Sequence, residues 1–117
     1  MTSAEPGPRR IDLCAADEVP PGTMKMCEVE DETVLVVNLD GEFHATQGIC
    51  SHEYFELDRG ALTGDSVTCT LHMSRFSLVD GEVIDPPAEL PLAVYPVVVD
   101  GGRVLIEVPP GPLEVNR

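Results

Sequence analysis

Tryptophan is absent from this 117-residue chain, and only two tyrosines and three phenylalanines stand in for it. A core must therefore be built mainly from Val, Leu, Ile and Ala. Basic residues are also scarce: seven Lys and Arg face twenty-one Asp and Glu, for a formal net charge of −14. Phosphate contacts need Lys and Arg, so nucleic acid is a poor partner, and anionic membrane surfaces are equally poor. A basic protein surface is the natural counterpart, reached by steering that weakens in salt. The plain alternative is that the charge only keeps the chain in solution. No apolar run approaches the roughly 20 residues that span a bilayer. No hydrophobic segment follows Arg9-Arg10, so a secretory signal is not expected and a cytoplasmic location is. Phosphate-cradling glycine motifs are missing too, which argues against a nucleotide enzyme.

No stretch of ten residues carries a 3.6-residue apolar period, and eleven prolines oppose long helices. Strand signals take their place. Val34–Val37 and Glu42–Thr46 flank Asp40-Gly41; Arg75–Val79 and Glu82–Ile84 flank Asp80-Gly81; Val94–Val99 and Arg103–Val108 flank Asp100-Gly101-Gly102. An Asp-Gly pair between two such runs predicts a hairpin, because glycine accepts the positive φ of the turn. A shorter turn is expected at Asp31-Glu32 between Met24–Val29 and Thr33–Val37, and a single helical turn at Ala15–Glu18. The class is all-β and antiparallel, in one domain over residues 1–117, with residues 109–117 as a tail.

Three stretches break the hairpin rhythm: Gln47–Gly60, Cys69–Arg75 and the proline-rich Asp85–Pro91. The first two carry the chemistry. They read Cys50-Ser51-His52 and Cys69-Thr70-Leu71-His72, a C-x-H and a C-x-x-H with sixteen residues between them. Each loop offers one thiolate and one imidazole close enough to share a site. In a reducing cytoplasm such cysteines are metal ligands or thiols rather than disulfides. Two centres accept two sulfurs and two nitrogens: a tetrahedral Cys₂His₂ zinc, and a [2Fe–2S] cluster with two Cys on one iron and two His on the other. Zinc modules usually pair Cys with Cys and His with His; here each loop mixes the two, which suits a binuclear centre.

With its flanks, this constellation resembles the Rieske ferredoxins, particularly the small ferredoxin components of bacterial aromatic-ring-hydroxylating dioxygenase systems such as those for carbazole, biphenyl or naphthalene. The shared features include both ligand loops, Gly60-Ala61-Leu62, Gly64-Asp65, Arg75–Leu78, Pro86-Pro87, Leu90-Pro91-Leu92, Tyr95-Pro96-Val97 and Gly102-Arg103-Val104. The resemblance implies the Rieske fold, a β-sandwich or barrel-like base with an inserted cluster-binding subdomain at about residues 47–87. It implies one Rieske [2Fe–2S] cluster, with Cys50 and Cys69 on the inner iron and His52 and His72 on the outer one. Pro86 and Pro87 are expected to cover it. Phe55 and Leu71 occupy the positions of an extra disulfide in high-potential relatives, Phe76 that of a Tyr, and Met73 that of a frequent Gly. Ser74 sits where a hydroxyl reaches a cluster sulfur in the high-potential group.

The implied partners are a flavoprotein ferredoxin reductase and a terminal oxygenase. Docking is expected through the acidic face around His52 and His72, with Glu53, Glu56, Asp58 and Asp85 on its rim and Phe55, Met73 and Pro87 at its dry centre. The chain itself is expected to catalyse no substrate chemistry. Cys14 and Cys27 read as small buried residues and His44 as a sheet residue. A small subunit of an assimilatory nitrite reductase, a zinc module and a redox sensor are the other readings.

Overall fold

Four consecutive residues, Val34, Leu35, Val36 and Val37, have no solvent exposure at all. Side chains alternate across a strand, so a strand buried at every position must be covered on both faces. The computed structural model, which describes residues 8–51, 54–70, 73–86, 88 and 90–116, has that layered arrangement. Its strands are β1 (Arg9–Ala15), β2 (Met24–Val29), β3 (Glu32–Leu39), β4 (Glu42–Gln47), β5 (Ala61–Thr63), β6 (Ser66–Cys69), β7 (Ser74–Ser77), β8 (Val83–Asp85), β9 (Val94–Tyr95), β10 (Val97–Asp100) and β11 (Arg103–Val108). Single 3-10 turns lie at Ala16–Glu18 and Leu57–Arg59. Among the described residues no helix is long and apolar enough to cross a membrane.

The strands form three antiparallel sheets, ordered β1-β11-β10, β2-β3-β4-β9 and β5-β6-β7-β8. The middle sheet is shared. From β3, Val34 and Val36 pack toward Ile106 and Val104 of the first sheet. Leu35 and Val37 pack the other way, with Val67 and Phe76 of the third. The all-β, antiparallel class read from the sequence is the observed one.

Hairpin chemistry explains several connections and corrects others. Asp40 and Gly41 both have positive φ, 55° and 96°, the two-residue turn whose twist matches its flanking strands. Gly101 and Gly102 do the same between β10 and β11, at 59° and 79°. The β2–β3 turn falls one residue earlier than expected, at Glu30-Asp31, with Glu30 at φ 58° and Glu32 already paired with Val29. Around Asp80-Gly81 the strands stop short: β7 ends at Ser77 and β8 begins at Val83. Leu78 is the cause. It turns into the core, 1% exposed, and its amide donates to the Asp65 carbonyl at 2.8 Å. The run Val94–Val99 is not one strand but two. Pro96 has no N–H for a ladder, and the chain changes sheet there: β9 pairs with β4 and β10 with β11. The second irregular stretch is shorter than read, since Ser74 and Arg75 already belong to β7.

Candidate metal centre

Each candidate thiol stands where a strand-like pairing gives way to a loop. Ile49 bridges Glu56, the Cys50 amide donates to the Phe55 carbonyl at 3.0 Å, and the Leu57 amide donates to the Gly48 carbonyl at 2.9 Å. These pairings pinch the first loop at its base. Cys69 is the last residue of β6 and pairs with Ser74 of β7; the Met73 amide donates back to the Cys69 carbonyl at 2.7 Å. The structure brings the two cysteines into one apolar cluster with Leu35, Leu57, Val67, Phe76, Ala88 and Leu92, at 1% and 0% exposure. His52 and His72, with Glu53, Leu71 and Pro87, lie outside the described residues.

Two backbone positions set the loops against each other. Met73 has φ 65°, the left-handed region, which explains why glycine is frequent there in the resembling family. A side chain at this φ costs about 1–2 kcal/mol, held here by the tight return to Cys69. Gly60 brings the first loop back against β6 so closely that a Cβ would stand 2.1 Å from the Thr68 carbonyl oxygen.

The proline-rich third loop is tied to both ligand loops through serine hydroxyls. Ser51 donates to the Leu90 carbonyl at 2.5 Å, and the Ala88 amide donates to Ser74 Oγ at 2.9 Å. The oxygen of Ser74 is thus an acceptor for backbone, which leaves its proton as a donor. Within this loop Pro86 is exposed, whereas Ala88 is the member that enters the core. Sequence reading passed over Ser51, Ala88 and Gln47. Nothing in the local sequence marks Gln47.

Among the described residues, each of the three loops exposes one large apolar side chain. Tyr54, Met73 and Leu90, one from each loop, are 78%, 63% and 46% exposed. Phe55, expected at a dry docking centre, instead packs against the core. Charges nearby are offset: Arg59 meets Glu56 at 3.7 Å and Arg75 meets Asp85 at 2.9 Å, leaving Asp58 exposed. Elsewhere Arg9, Arg10, Lys25 and Arg103 meet Glu30, Glu107, Glu18 and Asp12. Every described Lys or Arg therefore has a carboxylate, and the surplus charge is all negative.

The other two cysteines lie in a different cluster, with Val19, Val36 and Val104. Cys14 and Cys27 are hydrogen-bonded to each other, and burial, aided by Cys14, pushes the Cys27 thiol up to about 12. Burial raises Cys14 as well. Both therefore stay protonated at neutral pH. His44 lies in β4, its Nε2 2.7 Å from Glu42 Oε1.

Two buried thiols at the bases of adjoining loops, each followed in sequence by an imidazole, fit a centre with sulfur on its inner side and nitrogen outward. The chemistry of that donor set admits [2Fe–2S] and zinc alike. Comparison with known proteins separates them. The model of the Rieske [2Fe–2S] domain matches residues 9–96. The biphenyl dioxygenase ferredoxin subunit of Pseudomonas sp. (strain KKS102) is 43% identical over 80% of this chain and 87% of its own. The ferredoxin component of the alkene monooxygenase system of Xanthobacter autotrophicus is 42% identical over 89% and 85%. Among solved structures, a complex of reduced oxygenase and oxidized ferredoxin in carbazole 1,9a-dioxygenase matches with TM-score 0.79 and 30% identity, over 90% of this chain and 97% of that one.

Proposed function

The chain belongs to the Rieske [2Fe–2S] domain family, and from that premise we propose that it is a cytoplasmic ferredoxin. It accepts single electrons from an NAD(P)H-dependent flavoprotein reductase and passes them to the Rieske centre of a terminal ring-hydroxylating oxygenase. The observation that carries the reading is the pair of buried cysteines at the bases of two adjoining loops, inside a chain that matches ferredoxin components along most of its length. Cys50 and Cys69 would hold one iron of the cluster, and His52 and His72 the other. When bound, the cluster supplies a one-electron couple. Leu57, Phe76 and Ala88, buried in one cluster with the two cysteines, would exclude water on the core side, and Pro86 and Pro87 are the proposed cover.

On this reading docking uses the outer face of the three loops. Tyr54, Met73 and Leu90 are exposed apolar side chains on the three loops, and Asp58 is an exposed carboxylate outside the Arg59–Glu56 and Arg75–Asp85 pairs. A small interface with charge steering suits fast exchange between two partners in turn. The two relatives serve a dioxygenase and a monooxygenase, so the substrate of the oxygenase is left open. Both are ferredoxin components, which ranks this reading above a nitrite reductase subunit.

Reconstitution tests it. The purified protein should be brown and give a Rieske electron paramagnetic resonance signal after reduction by a ferredoxin reductase. It should then support turnover of a ring-hydroxylating oxygenase, more slowly as ionic strength rises from about 0.05 to 0.5 M. A colourless, zinc-loaded protein would sink the reading. Tyr54→Ala should raise the concentration needed for half-maximal turnover without altering the spectrum.

A further inference from the structure

The segment after the last strand has no strand or helix of its own, yet it reaches the base of the first ligand loop. Leu113 is buried, 7% exposed, with Tyr95, Ile106 and Val108, and the Tyr95 hydroxyl donates to the Glu114 carbonyl at 2.6 Å. These contacts fix the direction of the residues that follow. Asn116 then meets Gln47, whose side chain is 2% exposed. The Asn116 amide donates to Gln47 Oε1 at 2.9 Å, and Gln47 Nε2 donates to the Asn116 carbonyl at 2.6 Å. The same Gln47 amide group donates to the Ile49 carbonyl at 2.8 Å, and its oxygen accepts the Ala93 amide at 2.7 Å. The Asn116 side chain donates to the Pro91 carbonyl at 2.9 Å.

Gln47 thus uses both hydrogens and both lone pairs of its side chain, which is the full capacity of a primary amide. Its four partners are the residue before Cys50, the strand entry after the third loop, and both backbone groups of Asn116. A buried polar network that is completely satisfied specifies one geometry. The matched family domain ends at residue 96, so this segment lies beyond it.

We propose that residues 113–116 are a brace for the metal end, with Gln47 and Asn116 as positioning residues that hold the first ligand loop and the third loop in register. The inference rests on the Rieske reading for what the loops hold, but not for the brace itself. With the segment docked, Ile49 and Pro91 are anchored to one side-chain network, so the first loop cannot lift from the third without breaking it. The brace slows opening of the Cys50 loop and with it loss of the cluster.

The experiment uses two variants of the 117-residue chain: a truncation ending after Leu113, and Asn116→Ala, which removes only the bond to Pro91. Amide hydrogen exchange by mass spectrometry is read at residues 48–51 and 90–93, and at β6 as an internal control. Bleaching of the visible absorbance under a chelator gives a second readout. The truncated chain should exchange about tenfold faster at residues 48–51, in line with the loss of several buried hydrogen bonds, and bleach faster by a similar factor. Asn116→Ala should speed exchange at 90–93 alone, by a smaller factor. Unchanged exchange at 48–51 in the truncated chain overturns the brace, as does uniform acceleration that includes β6, which marks general destabilisation. If the parent protein holds no cluster, the function reading fails while the exchange comparison still decides the brace.

Discussion

Two pairs of cysteines in this chain are about equally buried, yet only one pair is proposed to bind metal. Cys14 and Cys27 are 2% and 7% exposed; Cys50 and Cys69 are 1% and 0%. The first pair sits within β1 and β2, each an edge strand laddered to one neighbour, and the side chains fill the space between two sheets. Burial there raises the thiol pKa, so each remains a small apolar group with a weak donor. Of the second pair, Cys69 is the last ladder residue of β6 and Cys50 directly follows the Ile49 bridge, each at the start of a loop. In each case a histidine follows two or three residues later in the sequence. Burial alone does not mark a cysteine as a ligand; the proposed ligands differ from the other pair in opening a loop that carries a histidine.

The sharpest way to break this comparison is to remove one member of each pair. Cys50→Ser or Cys69→Ser should abolish the Rieske resonance and the bound iron, whereas Cys14→Ala and Cys27→Ala should keep both. Iron analysis and electron paramagnetic resonance of the four variants check it; a cluster in Cys69→Ser, or its loss in Cys27→Ala, would reverse the assignment.

The two faces of β3 offer the next test. Leu35→Ala and Val36→Ala each leave a cavity at a fully buried site, the first costing about 3 kcal/mol and the second about 2 kcal/mol. Urea denaturation measures both. Only Leu35→Ala, which lines the cluster side, should also hasten bleaching under conditions where the fold persists. Equal bleaching in the two variants would show that the layers are not independent.

Smaller effects refine the metal end. The site has no hydroxyl at Phe76, and no extra cysteine at Phe55. Its midpoint should lie in the lower part of the roughly −150 to +300 mV Rieske range, below about 0 mV. Ser74→Ala should lower it further if the hydroxyl proton reaches a cluster sulfur; protein-film voltammetry reads both values. A shift of zero in Ser74→Ala assigns the hydroxyl to the Ala88 amide alone. Last, Met73→Gly relieves a left-handed φ and should add a few tenths to about 1 kcal/mol of stability, once glycine's extra unfolded-state freedom is subtracted. Its resonance should match the parent.

Much of this was legible in the chain itself. Asp40-Gly41 and Gly101-Gly102 announce their hairpins because only a few residues tolerate positive φ, and the ligand pattern is short-range: a thiolate and an imidazole two or three residues apart share a loop in any fold that places them on one. The all-β class follows from alternation and from prolines that exclude helix. Tertiary structure decided the rest, because it depends on residues far apart in the chain. Pro96 ends one strand, but which sheet takes the next is settled by β11. Leu78 shortens a hairpin that its local sequence favours, since the core beneath Asp65 gains more from a leucine than the ladder does from one more pair. Gln47 gives no sign of its role until Asn116, 69 residues later, arrives beside it. Local chemistry names the ligands; only long-range packing brings Cys50 and Cys69 into one cluster and closes three loops around them.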